Sequence, residues 1–263
     1  MLRYVPPLPR WYTEPLEWRA DGRWELRLLR SPGGGTVLVA GVHGAGGAGR
    51  RLQDLGGERV SDIEEKGFNH GAFFDAVRHD LFHGHLNQDQ VDGIGLLLDT
   101  GLHAGLPPEV ELEQLAYILA TAYHETAHTM TPLHEYGGRR KKYAPWYGRG
   151  FVQLTWEKNF AKMQEKLHRL VTATDSPFYE LYEHDTWRVH DHKEDACLAR
   201  PAALICVLGM RDGDFTGRSL NDYIKPNSVD YVHARRIVNG MDRAQMIAGY
   251  AKTFEHALRE GTA

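Results

Sequence analysis

The sequence predicts a mainly α-helical protein with a small β-containing segment at its N-terminus, and three observations carry that expectation. Beyond residue 67, apolar side chains recur at three- and four-residue spacing. Helix start and stop residues bracket those stretches. Before residue 67 the texture differs: the strand-like runs "RWELRLLR" and "TVLVAGV" are separated by Ser31-Pro32-Gly33-Gly34-Gly35 and follow a cluster of Trp11, Trp18 and Trp24. Residues 1–66 therefore read as an N-terminal segment of short strands and glycine-rich linker, and residues 67–263 as one helical domain.

Within the N-terminal segment, "TVLVAGVHGAGGAG" carries Gly44-x-Gly46-x-x-Gly49, with Asp62 and Glu64 where a ribose-binding acid would stand. A dinucleotide fold needs several more parallel strands, and the helical remainder offers no alternating βα rhythm, so the stretch reads as linker. The helices follow in order. "LNQDQVDGIGLLLDTGLHAGL" has Asn87 as a cap with Gln90 three residues on, then Val91, Ile94, Leu98 and Leu102 on one stripe, ending at Gly105. Pro107-Pro108 launches "EVELEQLAYILATAYHETAHTM". The helix after "QLTW" carries Phe160, Met163, Leu167 and Leu170, and the last carries Met246, Ile247, Tyr250, Phe254 and Leu258.

Composition narrows the function. A hydrophobic content of 42% with a net charge of −4 is globular material without the basic excess of a nucleic-acid binder. Cys197 and Cys206 fall on opposite faces of an apolar run, which predicts free, buried thiols. No apolar run is long enough for stable membrane insertion, and no Sec-type leader is encoded, so action outside the cytoplasm requires a separate carrier.

The chemistry concentrates in "YHETAHTMTPLHEYG". His124-Glu125-Thr126-Ala127-His128 matches the H-E-x-x-H of zinc peptidases, with His134 six residues further on as a third ligand. Thr131-Pro132 stands where that pattern's extended form has the glycine that turns the chain. The same stretch also reads as two carboxylates, Glu125 at a helix end and Glu135 ten residues later. Glu125 shares a stripe with Leu115, Ile118 and Ala122; a carboxylate there is either a desolvated general acid or a side chain reaching to the domain edge.

Together with "YAPWYGRGFVQLTWEKNF", this stretch resembles the family 19 glycoside hydrolases in their phage endolysin branch, relatives of plant-type chitinases with a lysozyme-like fold. The blocks "FFDAVRHDLFHGHLNQDQVDGI", "GMRDGDFTGRSL" and "DYVHARRIVNGMDRAQMIAGYAKTF" extend the likeness over about residues 68–260. The resemblance implies Glu125 as general acid, Glu135 as general base and Thr155 as the residue that helps hold the attacking water. It also implies Gln153, Asn159 and Asn239 as sugar contacts, and Tyr147 and Trp156, with Tyr143 and Trp146, as flat surfaces for pyranose rings.

Such an enzyme would hydrolyse the β-1,4 bonds of bacterial peptidoglycan with inversion at the anomeric carbon and without metal or organic cofactor. The alternatives are a chitinase, a glycan-binding protein without turnover, and the zinc peptidase. On this resemblance the chain acts in the periplasm or cell wall after release or injection. A holin, a secretion apparatus or an immunity protein would be partners on that route.

Overall fold

The structure, a computed structural model, describes residues 68–179 and 185–262, and in the N-terminal segment the backbone pairing of four short strands. These are β1 (Glu17–Trp18) with β2 (Trp24–Glu25), and β3 (Leu29–Arg30) with β4 (Thr36–Val37), both antiparallel. β3 and β4 flank the Ser31–Gly35 stretch that the sequence marked as a break. Trp11, the Gly44–Gly49 motif, Asp62, Glu64 and the boundary at residue 66 lie outside the described residues.

The remainder is mainly helical. α1 (His70–Asp80) starts where Asn69 Oδ1 accepts from the Ala72 N–H. α2 (Gln88–Leu102) has the expected capping box: Asn87 accepts from the Gln90 N–H while the Gln90 side chain accepts from that of Asn87. Pro108–Val110 forms a 3-10 turn, so the helix after the proline pair begins only at Glu111 and runs as α3 (Glu111–Glu125), stopping short of the Met130 to which the expected stretch extended. α4 (Glu157–Thr172) buries Phe160, Met163 and Leu167 against the core, as its spacing predicts. α5 (Ala199–Asp212) lies against α2, and the short α6 (Leu220–Tyr223) leads into the β7 (Ile224–Lys225) and β8 (Ser228–Val229) hairpin. α7 (Ala244–Thr262) closes the fold against α1 and α3. Among the described residues no helix is long and apolar enough to cross a membrane.

α3 is the centre of the core. Every residue from Gln114 to Tyr123 is buried, so the expected apolar stripe is instead a helix enclosed on all sides. One line along it is polar: Gln114, Tyr117 and Thr121 lead at helical spacing to Glu125, and the Gln114 amide donates to Asn221 Oδ1 and the Ile224 carbonyl.

Two further expectations need correcting. In α7, Ile247, Phe254 and Leu258 are buried but Met246 is exposed, because the buried face runs through Ala244, Ala248 and Ala251. Cys206 is buried in α5, whereas Cys197 is only partly buried; it ends a separate 3-10 turn (Lys193–Cys197), and extended Leu198 breaks the run they were expected to share. Both thiols are free.

The chain leaves α3 through an unusual reversal. Ala127, His128 and Met130 all have positive φ, at 49°, 68° and 53°. Left-handed conformations at such residues cost about 1 to 2 kcal/mol each. Against this stand the complete burial of Met130, which contributes about 1.5 to 3 kcal/mol, and several local hydrogen bonds at about 1 kcal/mol each. Those bonds run from Met130 N–H to Thr126 Oγ1 (3.1 Å), from His128 N–H to the Tyr123 carbonyl (2.8 Å), and from Gln90 Nε2 to the His128 carbonyl (3.0 Å).

Met130 is seated against α2 at Gly93, where an added Cβ would fall 1.8 Å from the Met130 carbonyl oxygen. Gly93→Ala should therefore destabilise the protein by about 1 to 3 kcal/mol, overriding alanine's better helix propensity. Gly95→Ala, two residues on with open space around it, should stabilise by about 0.5 to 1 kcal/mol. Urea unfolding of both variants checks this, and a neutral Gly93→Ala would show that the reversal is not clamped there.

Candidate active site

The hairpin of β5 (Leu133–His134) and β6 (Arg149–Gly150) forms one wall of a cleft at the end of α3. Its register pairs Leu133 with Gly150 and His134 with Arg149, and the Glu135 N–H extends the ladder by donating to the Gly148 carbonyl at 2.8 Å. Arg149 then pairs with Leu154 through two backbone bonds of 3.1 and 2.8 Å, folding "RGFVQL" into a tight turn. Gly150 permits that turn: its φ is +83°, and an added Cβ would meet the Ala196 carbonyl oxygen at 2.9 Å.

The cleft has a volume of about 930 Å³. It gathers Glu125, Glu135, Gln153, Thr155, Trp156, Asn159 and Asn239, which the sequence spreads over more than a hundred positions. The opposite wall comes from Phe215 and Thr216 and from Val238 to Gly240; Thr216 Oγ1 ties the two segments by donating to the Arg236 carbonyl at 2.6 Å.

Glu125 is the last residue of α3, 16% exposed, and its Oε1 accepts from Arg235 Nη1 at 2.6 Å. Burial and the negative end of the helix dipole both oppose a charge here, and the guanidinium, itself 3% exposed, offsets them. Arg235 is also fixed by its Nε donating to the Asp242 carbonyl at 3.1 Å. Periodicity gave no sign of Arg235; the cue in hindsight was a cation within the "HARRIVNG" block.

Glu135 is in a different situation. Burial works against its charge, but the Gly148 N–H (3.1 Å), the Tyr143 hydroxyl (2.8 Å) and the Lys141 ammonium (3.3 Å) together prevail and hold its carboxyl below the ordinary range.

Around them, the Thr155 hydroxyl donates to the Gln153 carbonyl at 2.7 Å and Asn159 Nδ2 donates to the Thr155 carbonyl at 2.8 Å. Gln153 spends its amide hydrogens on the Leu133 and Gly150 carbonyls, at 3.2 and 3.3 Å, so its side-chain oxygen is what it offers a ligand. Asn239 Oδ1 accepts from the Gly240 N–H. Trp156, 48% exposed, meets the Tyr143 ring at 4.9 Å on the cleft wall.

Tyr147 does not belong with them. It is buried beneath the Arg149 guanidinium, 3.8 Å from the ring centre, where it supports the hairpin and offers no face to a ligand. Trp146 likewise turns inward, against Phe160 and His190. Tyr136, which the sequence did not single out, lines the cleft and is 99% exposed.

The H-E-x-x-H geometry is absent. α3 stops at Glu125, the left-handed residues that follow carry His128 off the helix, and its ring lies flat on Tyr123 at 4.0 Å. His134 sits on the hairpin instead, beside Glu194. Among the described residues no three His, Cys, Asp or Glu side chains are grouped as a metal would require.

Because the Glu135 carboxyl is held below its ordinary value of 4.5, its partners stabilise the fold fully above that pH and cease to do so as pH falls through the depressed folded value. Tyr143→Phe should therefore raise the titration midpoint of Glu135 in carboxyl NMR. Its melting temperature should lie below that of the parent at neutral pH and converge with it in acid. Parallel melting curves at all pH values would mean that the hydroxyl does not act on the ionised carboxylate.

No protein-family model, no curated protein and no solved structure matches this chain.

Proposed function

We propose that the protein is a glycoside hydrolase with a lysozyme-like helical domain that cuts the β-1,4 bonds of bacterial peptidoglycan with inversion. The observation that carries this reading is the pair of carboxylates brought to one cleft from two different elements. Glu125 stands at the end of α3 with one oxygen held by Arg235, and Glu135 stands on the hairpin among the Gly148, Tyr143 and Lys141 donors.

In this mechanism Glu125 donates a proton to the leaving glycosidic oxygen. Arg235 is a positioning residue that holds Oε1 and leaves Oε2 for the proton. Glu135 accepts a proton from the attacking water on the opposite face of the sugar ring, and the Thr155 hydroxyl helps hold that water. Trp156, Tyr143 and Tyr136 give apolar faces to the pyranose rings, while Asn159, Asn239 and the Gln153 oxygen contact their hydroxyl and acetamido groups. A zinc peptidase draws no support from the site, because its two motif histidines do not share a helix face.

Glu125→Gln should keep the parent's circular dichroism, melt at a lower temperature because buried Arg235 loses its counter-charge, and lower turnover by about 100-fold or more where it remains folded. His128→Ala, and treatment of the parent with a chelator, should leave most activity. Reducing-end release and mass spectrometry of fragments from purified peptidoglycan provide the readout. A stoichiometric zinc lost together with activity on chelation would contradict the reading.

A further inference from the structure

Between the cleft-lining Tyr136 and Tyr143 the chain makes a basic turn, Arg139-Arg140-Lys141-Lys142, of which only Lys141 reaches a cleft residue, Glu135. The turn is held in place: Gly138 packs directly on the buried Tyr147 ring, and the N–H groups of Gly138, Arg140 and Lys141 donate to the carbonyls of Glu135, Gly137 and Gly138. Arg139, Arg140 and Lys142 are exposed and pair with no carboxylate among the described residues.

Elsewhere many basic side chains are matched, as Arg188 is with Asp191, Arg211 with Asp212 and Arg259 with Glu255. Three cations without a carboxylate partner among the described residues, on one fixed turn next to cleft residues in the chain, are the more conspicuous in a chain of net charge −4. Such a chain is repelled by an acidic polymer unless the surface it presents is locally positive. Arginine's planar fork, moreover, is suited to carboxylate oxygens.

We propose that Arg139, Arg140 and Lys142 form a subsite at the mouth of the cleft for carboxylates carried on the substrate's peptide side chains. The site therefore takes a carboxylated glycan in preference to a neutral one with the same β-1,4 backbone. This rests on the reading of the cleft as a glycan-cutting site. Tyr136, fully exposed on the same stretch, lies between this subsite and Glu135 in the chain and supplies a flat face for the sugar to which such a peptide is attached.

The test compares the full chain with its Arg139→Gln, Arg140→Gln, Lys142→Gln triple variant on two substrates: purified peptidoglycan, and the same material with its peptide carboxyls amidated. These residues are exposed, so the triple variant should keep the parent's melting temperature. On native peptidoglycan it should lose roughly tenfold in kcat/KM, the scale of a few exposed charge contacts, and on amidated material it should match the parent. Added salt should slow the parent on the native wall and leave the variant nearly unaffected. Equal rates of parent and variant on native peptidoglycan, or an equal loss on both substrates, would overturn the subsite.

Co-sedimentation with the two materials is measured alongside. If neither substrate yields reducing ends but the parent is retained on native peptidoglycan and the variant is not, the hydrolase reading fails while the subsite stands. Retention indifferent to both the variant and the amidation removes the subsite whatever the activity.

Discussion

Glu125 closes a helix that is buried on every side, at an end where desolvation and the helix dipole both oppose its charge. Arg235 is brought to it from 110 residues further along the chain, and much of the architecture serves that meeting. The 3-10 turn His233–Ile237 that carries Arg235 is tied through Thr216 to the loop after α5, and α5 lies against α2. The same contacts place Asn239 on the cleft wall. Removing one partner of such a pair leaves a buried charge uncompensated, at a cost of about 3 to 5 kcal/mol, so core and cleft cannot be separated energetically.

Backbone strain gathers around the same place. Left-handed non-glycine residues occur after α3 at Ala127, His128 and Met130, and across the cleft at Gln153 and Trp156. In each case nearby packing or hydrogen bonding holds the conformation: Met130 lies against Gly93, Gln153 donates to Leu133 and Gly150, and the Trp156 N–H donates to the Trp146 carbonyl at 2.9 Å. The outcome is that Gln153, Thr155 and Trp156, within four residues of each other, all reach one cleft. A regular strand would send alternate side chains to opposite faces.

Local features were legible in the sequence. The Asn87 capping box and the apolar spacing of α4 each depend on a few neighbouring residues, and the structure has them. Gln153, Thr155, Trp156 and Asn159 share one short motif, whereas their meeting with Glu125, Glu135 and Asn239 at one cleft was expected only from the family resemblance. The failures were tertiary. Tyr147 and Trp156 are both aromatics in one motif, and the packing of Arg149 and Gly138 on the Tyr147 ring is what covers one while the other stays open. The i,i+4 spacing of His124 and His128 presumes a helix that in fact ends between them. Met246 missed the core because α7 meets α1 and α3 through its alanine-rich face, a choice made by the partner helices. Arg235 is cationic, and its burial follows only from a carboxylate distant in sequence.

The central claim is that Glu135 acts as a base on water on the face of the ring opposite Glu125, and the anomeric configuration of the first product tests it most directly. Proton NMR of a fresh digest, recorded before mutarotation, should show the α-anomer released from a β-linked substrate. A β-anomer would mean retention through a covalent or substrate-assisted intermediate and would contradict the account.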